Sequence, residues 1–546
     1  MKTTIFSFGW RPVALTVCVI LMASGVPRAG AQNGPISYGD AVRFLEQATF
    51  GPTTDLVDYV QRSGYEAFLE EQFGLPKSDY PQLAPWPATR PMDCTGPCQR
   101  DNYTMYPLQA HFFKNALYGR DQLRQRVAFA LSQILVVSGR DVTLSSWMRP
   151  FQQLLYAGAF GNYRQLLYDV TLNAAMGAYL DMVNNIKFNP ATGIKPNENY
   201  AREILQLFSV GLFKLNQDGT YQTDAFGNPL PTYGEDEIEE FSKVFTGWTF
   251  APQFGQGIPN YIDPMRVRTP EATYHDRETK RLLNGVVLPA GQSTLKDLND
   301  AIDNIFNHPN VGPFISKQLI QHLVTSNPSP DYVWRVALVF NSPGQRGDLK
   351  AVIKAILLDR EARQSPQNPN YGHLREPVLF MTSLLRAFNP TSDGVINSLV
   401  IGDYQIGSSQ MGQDVFNAPS VFNFYPPDHQ LPDTEGVLGP EFRIHSSVSA
   451  LRRANFAQRI IFSNIPSNAD RPMGTRLDLS FLLQFNGNTS SILDYLDLLL
   501  MHRSTPPQML ASIAQAVESI PGSQPLLRVQ TALYLFATSS LYQVER

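Results

Sequence analysis

Apolar residues recur at helical spacing along most of this chain. The clearest case is 121–137, where Leu123, Val127, Ala130, Leu131, Ile134 and Leu135 fall on one face. The same reading predicts helices at 38–49, 65–73, 161–172, 174–184, 235–245, 295–307, 311–325, 332–340 and 348–358. It continues through 377–388, 442–461, 492–501, 506–520 and 525–537. Strand signals are local. Turn residues at 214–221 and 224–230 predict a short hairpin, and 282–288 a further short strand. Two stretches, 247–291 and 401–439, are long and rich in Pro, Gly, Asn and Ser, and loops of that length in a compact domain are commonly functional. The expected fold is mainly α: a large multi-helix globular domain over 32–546 with a short β-hairpin insertion and long ordered loops. A sub-division near residue 290 is compatible with this pattern.

One helix stands apart. In 196–208 a polar start runs into an apolar end carrying Ile204, Leu205, Leu207 and Phe208. Pro196 suits a first turn, Asn197 an N-cap, and Glu198 the positive helix start. Glu198 and Arg202 are spaced i,i+4, as are Asn199 and Glu203, so each pair shares a face. Such a helix carries a polar network into an apolar body.

The first 31 residues read as a Sec-type signal peptide. Lys2 and Arg11 precede a mostly apolar run, and Ala29-Gly30-Ala31 is an A-x-A cleavage signal. The expectation is export to the periplasm or the extracellular space, with no stable membrane span once the signal is removed. Cys94 and Cys98 then remain, and an oxidising compartment predicts a small disulfide loop across Thr95-Gly96-Pro97. Their surroundings lack both the βαβ pattern of a redox C-x-x-C and nearby partners for a metal. The net charge of -4 argues against nucleic acid as a partner.

Several motifs occur in order. They are Arg43-Phe44-Leu45-Glu46-Gln47-Ala48-Thr49-Phe50-Gly51-Pro52, Leu123-Arg124-Gln125-Arg126-Val127 and Asn197-Glu198-Asn199-Tyr200-Ala201-Arg202-Glu203. Phe245-Thr246-Gly247-Trp248, His275-Asp276 with Lys280, and Ala418-Pro419-Ser420-Val421-Phe422-Asn423-Phe424-Tyr425 follow. Together they resemble the exported bacterial family known as domain of unknown function 1800, from about residue 38 to the C-terminus. Gln206 departs from the pattern, standing where the family often has Glu. The resemblance implies a mostly helical exported protein and supplies no reaction. It also implies a partner, an exported sulfatase-like protein encoded nearby.

The sharpest chemical reading joins Glu198, Glu203, His275 and Asp276 as a catalytic carboxylate–imidazole set, able to share protons or hold a divalent metal. Asn197, Asn199, Arg202 and Trp248 would then bind the ligand. The preferred alternative is a buried salt-bridge network that holds a long loop onto the helical core, with Arg126 and Arg202 as partners for Glu198 and Glu203. Ion-pair networks and active sites look alike at the level of sequence. The aromatics of 416–425 either stack on a ligand or plug the core, and plugging is the commoner use. His322 reads as a packing or surface residue. H-E-x-x-H, G-x-S-x-G and Walker patterns are absent. The leading expectation is a binding protein that uses its long loops. The alternative is a metal- or carboxylate-dependent hydrolase of an extracellular polymer or ester, so the sequence leaves enzyme status open.

Overall fold

The computed structural model describes residues 35–546 except 256, 365–367, 369, 397–409, 470 and 471. The expected signal peptide and the first part of the 401–439 loop lie outside the described residues.

Helices dominate the described residues, and the strands among them form only short antiparallel pairs, so the fold is mainly α. Buried apolar side chains form one continuous cluster from Ala41 to Tyr542. Most predicted helices appear within a few residues of their expected bounds, and Pro525–Ala537 matches at both ends. The 121–137 pattern becomes Gln122–Ile134 and the 311–325 pattern Val311–Leu323. These two helices pack against each other and form the wall on which the cavity described below is built.

Three departures have local causes. The 442–461 prediction divides into a 3-10 turn, Pro440–Ile444, and a helix, Ser447–Phe462. Ser446 and Ser449 cap each other there, each hydroxyl accepting from the other's backbone N–H, and apolar spacing does not register such a box. The helix Ser145–Gly158 was not predicted because Pro150 lies inside it and proline reads as a stop. The 174–184 prediction ends early, at Tyr179.

Of the five small strand pairs among the described residues, four join loop segments to one another or to the chain's last residues. Trp248 pairs with Val267, Lys280 with Leu288, Thr391 with Arg476, and His373 with Glu545. The last brings the chain's end back beside the start of the Pro377–Arg386 helix. The predicted hairpin is present as bridges joining Phe213 to Pro231, Leu215 to Tyr221 and Thr223 to Pro229. A disulfide joins Cys94 and Cys98.

Candidate functional site

The polar helix is Asn199–Gln206, with Glu198 immediately before it. Asn197 supports its start: its Oδ1 accepts from the Asn199 N–H at 2.8 Å. Arg202 makes the expected ion pair with Glu198 at 3.3 Å and a closer, bidentate one with Glu235, both contacts at 3.0 Å. Asn199 donates to Asp181 at 3.3 Å. Glu203 is buried, and its Oε2 has no hydrogen-bond partner among the described residues. Burial raises its carboxyl above the usual range, partly offset by Arg202. Arg126 is not a partner of Glu198 or Glu203, contrary to expectation. It lies on another helix and donates to the His322 carbonyl.

Asn185, which the sequence reading missed, stitches the predicted segments together. Its side chain exchanges two hydrogen bonds with the Asn197 backbone, at 2.8 and 3.1 Å, and its carbonyl accepts from Gly247 at 2.8 Å. Gly247 has φ +85, and a Cβ there would lie 2.9 Å from the His275 Cβ. The loop can therefore approach the histidine only with glycine at this position. Trp248 is buried beside it, its indole nitrogen without a partner among the described residues.

His275 and Asp276 sit in a sealed cluster. The His275 Nδ1 faces the Thr246 carbonyl at 2.9 Å, and its Nε2 faces Asp297 at 3.0 Å. Lys280 places its ammonium 2.8 Å from Asp297 and donates to the carbonyls of Asp276 at 2.7 Å and Glu278 at 3.0 Å. An ammonium has three hydrogens, so this lysine is fully used. Burial alone would raise the Asp297 carboxyl. Hydrogen bonds from His275 and Lys280 outweigh it and hold the group below its ordinary range. Among the described residues no hydrogen bond or ion pair joins Glu203 to His275 or Asp276, and no group of three His, Cys, Asp or Glu side chains is placed to hold a metal. The arrangement locks the 246–297 segment onto the helical core.

A second buried polar cluster borders a cavity of about 60 Å3, formed between the helices Gln122–Ile134 and Val311–Leu323 and the 410–446 loop. Arg126, Gln133 and Ile134 are spaced i, i+7, i+8. Phe314, Gln318, Gln321 and His322 are spaced i, i+4, i+7, i+8. Each set therefore shares one helix face. The loop adds Val421, Phe422, Tyr425 and Glu441. Asn423 has φ 62, a left-handed conformation that Asn adopts more readily than most residues. The turn leaves Phe422 about half exposed at the cavity while Tyr425 is buried. The aromatic run thus both plugs the core and lines an opening.

Gln133 holds the loop in place. Its Oε1 accepts from Asn423 at 3.0 Å and from Tyr425 at 3.1 Å, and its Nε2 donates to Glu376 at 3.3 Å. The Tyr425 hydroxyl shares its one hydrogen between Gln133 and Glu376, which lies 2.8 Å away, and Gln413 donates to the same carboxylate. Burial raises the Glu376 carboxyl. The Arg126 charge and these hydrogen bonds offset part of that shift, while Glu441 adds to it. Behind the wall His373 meets Glu441 at 3.2 Å and Glu545 at 3.6 Å. Burial opposes its protonation, yet the two carboxylates prevail and push its pKa up to about 10. His322 moves the other way, to about 3, because burial and the nearby charges of Arg126 and His373 all disfavour its cation.

This cluster is incompletely satisfied. Arg126 Nε and Nη1 have no partner among the described residues. Neither has the Nε2 of Gln318, which is only 8% exposed and lines the cavity. A buried donor without a partner costs about 1–3 kcal/mol, which makes such groups informative. A wider, more open groove elsewhere, of about 380 Å3, is bordered by Lys77, Lys114 and Arg120, and none of these is buried. Sequence reading missed Gln133, Gln318, Glu376 and Glu441. The available signal was the set of amide and imidazole side chains at 318, 321 and 322, sharing one face of a mostly apolar helix with Phe314.

No curated protein and no solved structure matches the chain. The ordered motifs and the helical fold agree with a family match over residues 43–544, nearly the whole chain. The chain belongs to the family described as "Protein of unknown function (DUF1800)".

Proposed function

We propose that this protein is a ligand-binding factor, taking part of its ligand into the cavity that the 410–446 loop forms against the Gln122–Ile134 and Val311–Leu323 helices. The observation that carries this reading is Gln318, a buried residue on the lining of that cavity whose side chain makes no hydrogen bond among the described residues. A cavity of about 60 Å3 admits a few heavy atoms, since one water needs at least roughly 10–15 Å3 on this measure. The ligand therefore inserts one group and rests the remainder against Phe422 and the loop. The Cys94–Cys98 pairing supports an oxidising setting outside the cytoplasm, as export would provide.

Native mass spectrometry tests this on the protein isolated from the cells that make it and from their medium. The expected result is a small-molecule adduct that Val421→Trp, which fills the cavity mouth, no longer carries. Equal adducts on the two proteins, or bare protein in both after incubation with extracellular extract, would contradict the reading.

A carboxylate-dependent hydrolase at the same place is the second reading, suggested by Glu376, a buried carboxyl on which Gln133, Gln413 and Tyr425 converge. Burial holds Glu376 toward the neutral form that a general acid requires. That carboxyl stands behind Tyr425, however, and does not line the cavity. Turnover of p-nitrophenyl acetate that vanishes in Glu376→Gln, with folding intact, would establish it.

A further inference from the structure

The wider groove shares no lining residue with the cavity above, and its chemistry is different. The helix Tyr106–Tyr118 ends beside it, and its volume of about 380 Å3 lies within the roughly 300–1,000 Å3 of small-molecule sites. Lys114 and Tyr118 are spaced i,i+4 and share one helix face. Lys77 and Arg120 border the groove from flanking loops. A tight turn sets Arg120 there: a Cβ at Gly119 would lie 2.7 Å from the Asn115 carbonyl oxygen, so glycine is required. The lining is tied down from behind. Asp121, fully buried, accepts from the Ser78 N–H at 2.8 Å and from its hydroxyl at 2.6 Å, and Asn115 donates to the Ser78 carbonyl at 3.1 Å.

The charges of this groove are unbalanced. Among the described residues its lining holds three cations and no carboxylate, on a chain whose net charge is -4. Lys77 meets Asp79 at 3.2 Å. The side chains of Lys114 and Arg120 make no ion pair and no hydrogen bond among the described residues. Nor are they needed to neutralise the negative end of the helix. Gln122 already donates to the carbonyls of Asn115, Ala116 and Gly119, and Arg386 to those of Ala116 and Leu117. Arg386 brings a buried positive charge to this helix end, as Asp121 brings a buried negative one, so the two exposed cations remain uncompensated. Tyr118 exposes 43% of its surface here, and its hydroxyl donates to the Pro390 carbonyl at 2.8 Å, so the ring is held as an apolar face. We infer that this groove binds a small organic dianion, a phosphate monoester or a dicarboxylate, whose oxygens meet Lys114 and Arg120 and whose apolar part rests on the Tyr118 ring. Two uncompensated cations match two negative charges, and a guanidinium takes carboxylate or phosphate oxygens in pairs. An open groove suits such a ligand, because it keeps part of its hydration.

Four probes that share a ring separate the possibilities: phenyl phosphate, phthalate, benzoate and benzyl alcohol. Saturation-transfer NMR at low ionic strength reads their binding, since salt screens exposed charges. The expected result is that phenyl phosphate, phthalate or both bind more tightly than benzoate, and benzoate more tightly than the alcohol. The preferred dianion tells phosphate ester from dicarboxylate. Lys114→Gln and Arg120→Gln should each weaken that dianion about fivefold. Both side chains are exposed and unpartnered among the described residues, so neither change removes a contact of the fold. Lys195→Gln removes the same charge from another exposed place, and Val421→Trp fills the mouth of the other cavity, so both should leave the affinity unchanged. Benzoate binding as tightly as the dianions would overturn the assignment. So would a dianion affinity that neither groove variant weakens, or that Lys195→Gln or Val421→Trp weakens equally. No binding of either dianion would overturn it as well.

Discussion

Two of the buried ionic clusters among the described residues treat their donors differently. Beneath the 246–297 segment, Lys280 uses all its ammonium hydrogens on Asp297 and two carbonyls. Beside the 410–446 loop, Arg126 gives one nitrogen to the His322 carbonyl and leaves two without partners among the described residues, and Gln318, which lines a cavity, leaves its Nε2 unpartnered among them as well. The motif-rich region has loose ends as well, Asp297 Oδ1, Trp248 Nε1, Thr294 Oγ1 and Glu203 Oε2, but none of these residues lines the cavity. A saturated buried network rigidifies a fold, whereas an unsaturated one next to a cavity carries a cost that a ligand can relieve. The motif-rich region is thus the lock, and the quieter region is the candidate site.

The largest effect that would sharpen this contrast is Lys280→Met. It strands a buried carboxylate and should cost about 3–5 kcal/mol in urea unfolding. A loss below ~1 kcal/mol would break the claim that this cluster is the lock. The pH dependence separates the clusters further. The folded pKa of Asp297 is depressed, so its contribution is present above the ordinary carboxylate range and lost as pH falls through the folded value. The folded pKa of His373 is raised from 6.5 to about 10, so its contribution is complete below pH 6.5 and lost as pH rises toward 10. Asp297→Asn should flatten the acid limb of the stability profile, and His373→Gln the alkaline limb. A wild-type profile unaltered by either change would contradict the assignment. The smallest effect belongs to Phe422→Ala. Half exposed, it should change stability by no more than about 0.5 kcal/mol while weakening ligand retention.

The fold was largely legible because long helices with regular apolar spacing report their burial directly, as Thr294–Phe306 and Pro525–Ala537 illustrate. The clustering of His275, Asp276 and Lys280 was also legible, because these residues are close along the chain. The candidate cavity was not. Gln133, Gln318, Glu376 and Tyr425 come from four segments, and Gln133 and Tyr425 are 292 positions apart in sequence yet share a hydrogen bond. Only folding brings them together. Asp297 was overlooked for a related reason: on a helix beginning at Thr294 it reads as an ordinary first-turn acid, and its charge partners lie on the preceding loop. The missed cap at Ser446 shows the same limit on a smaller scale, since a hydroxyl–backbone exchange leaves no apolar period.

The most direct test of the central claim is the urea stability of Gln318→Leu, read beside wild type without added ligand. A side chain left unpaired for a ligand weakens the empty protein, so its removal should raise the unfolding midpoint by the equivalent of about 1 kcal/mol with an unchanged m-value. A loss of about 1 kcal/mol or more would show that Gln318 is already satisfied within the fold, and would contradict the assignment of this cavity as the binding site.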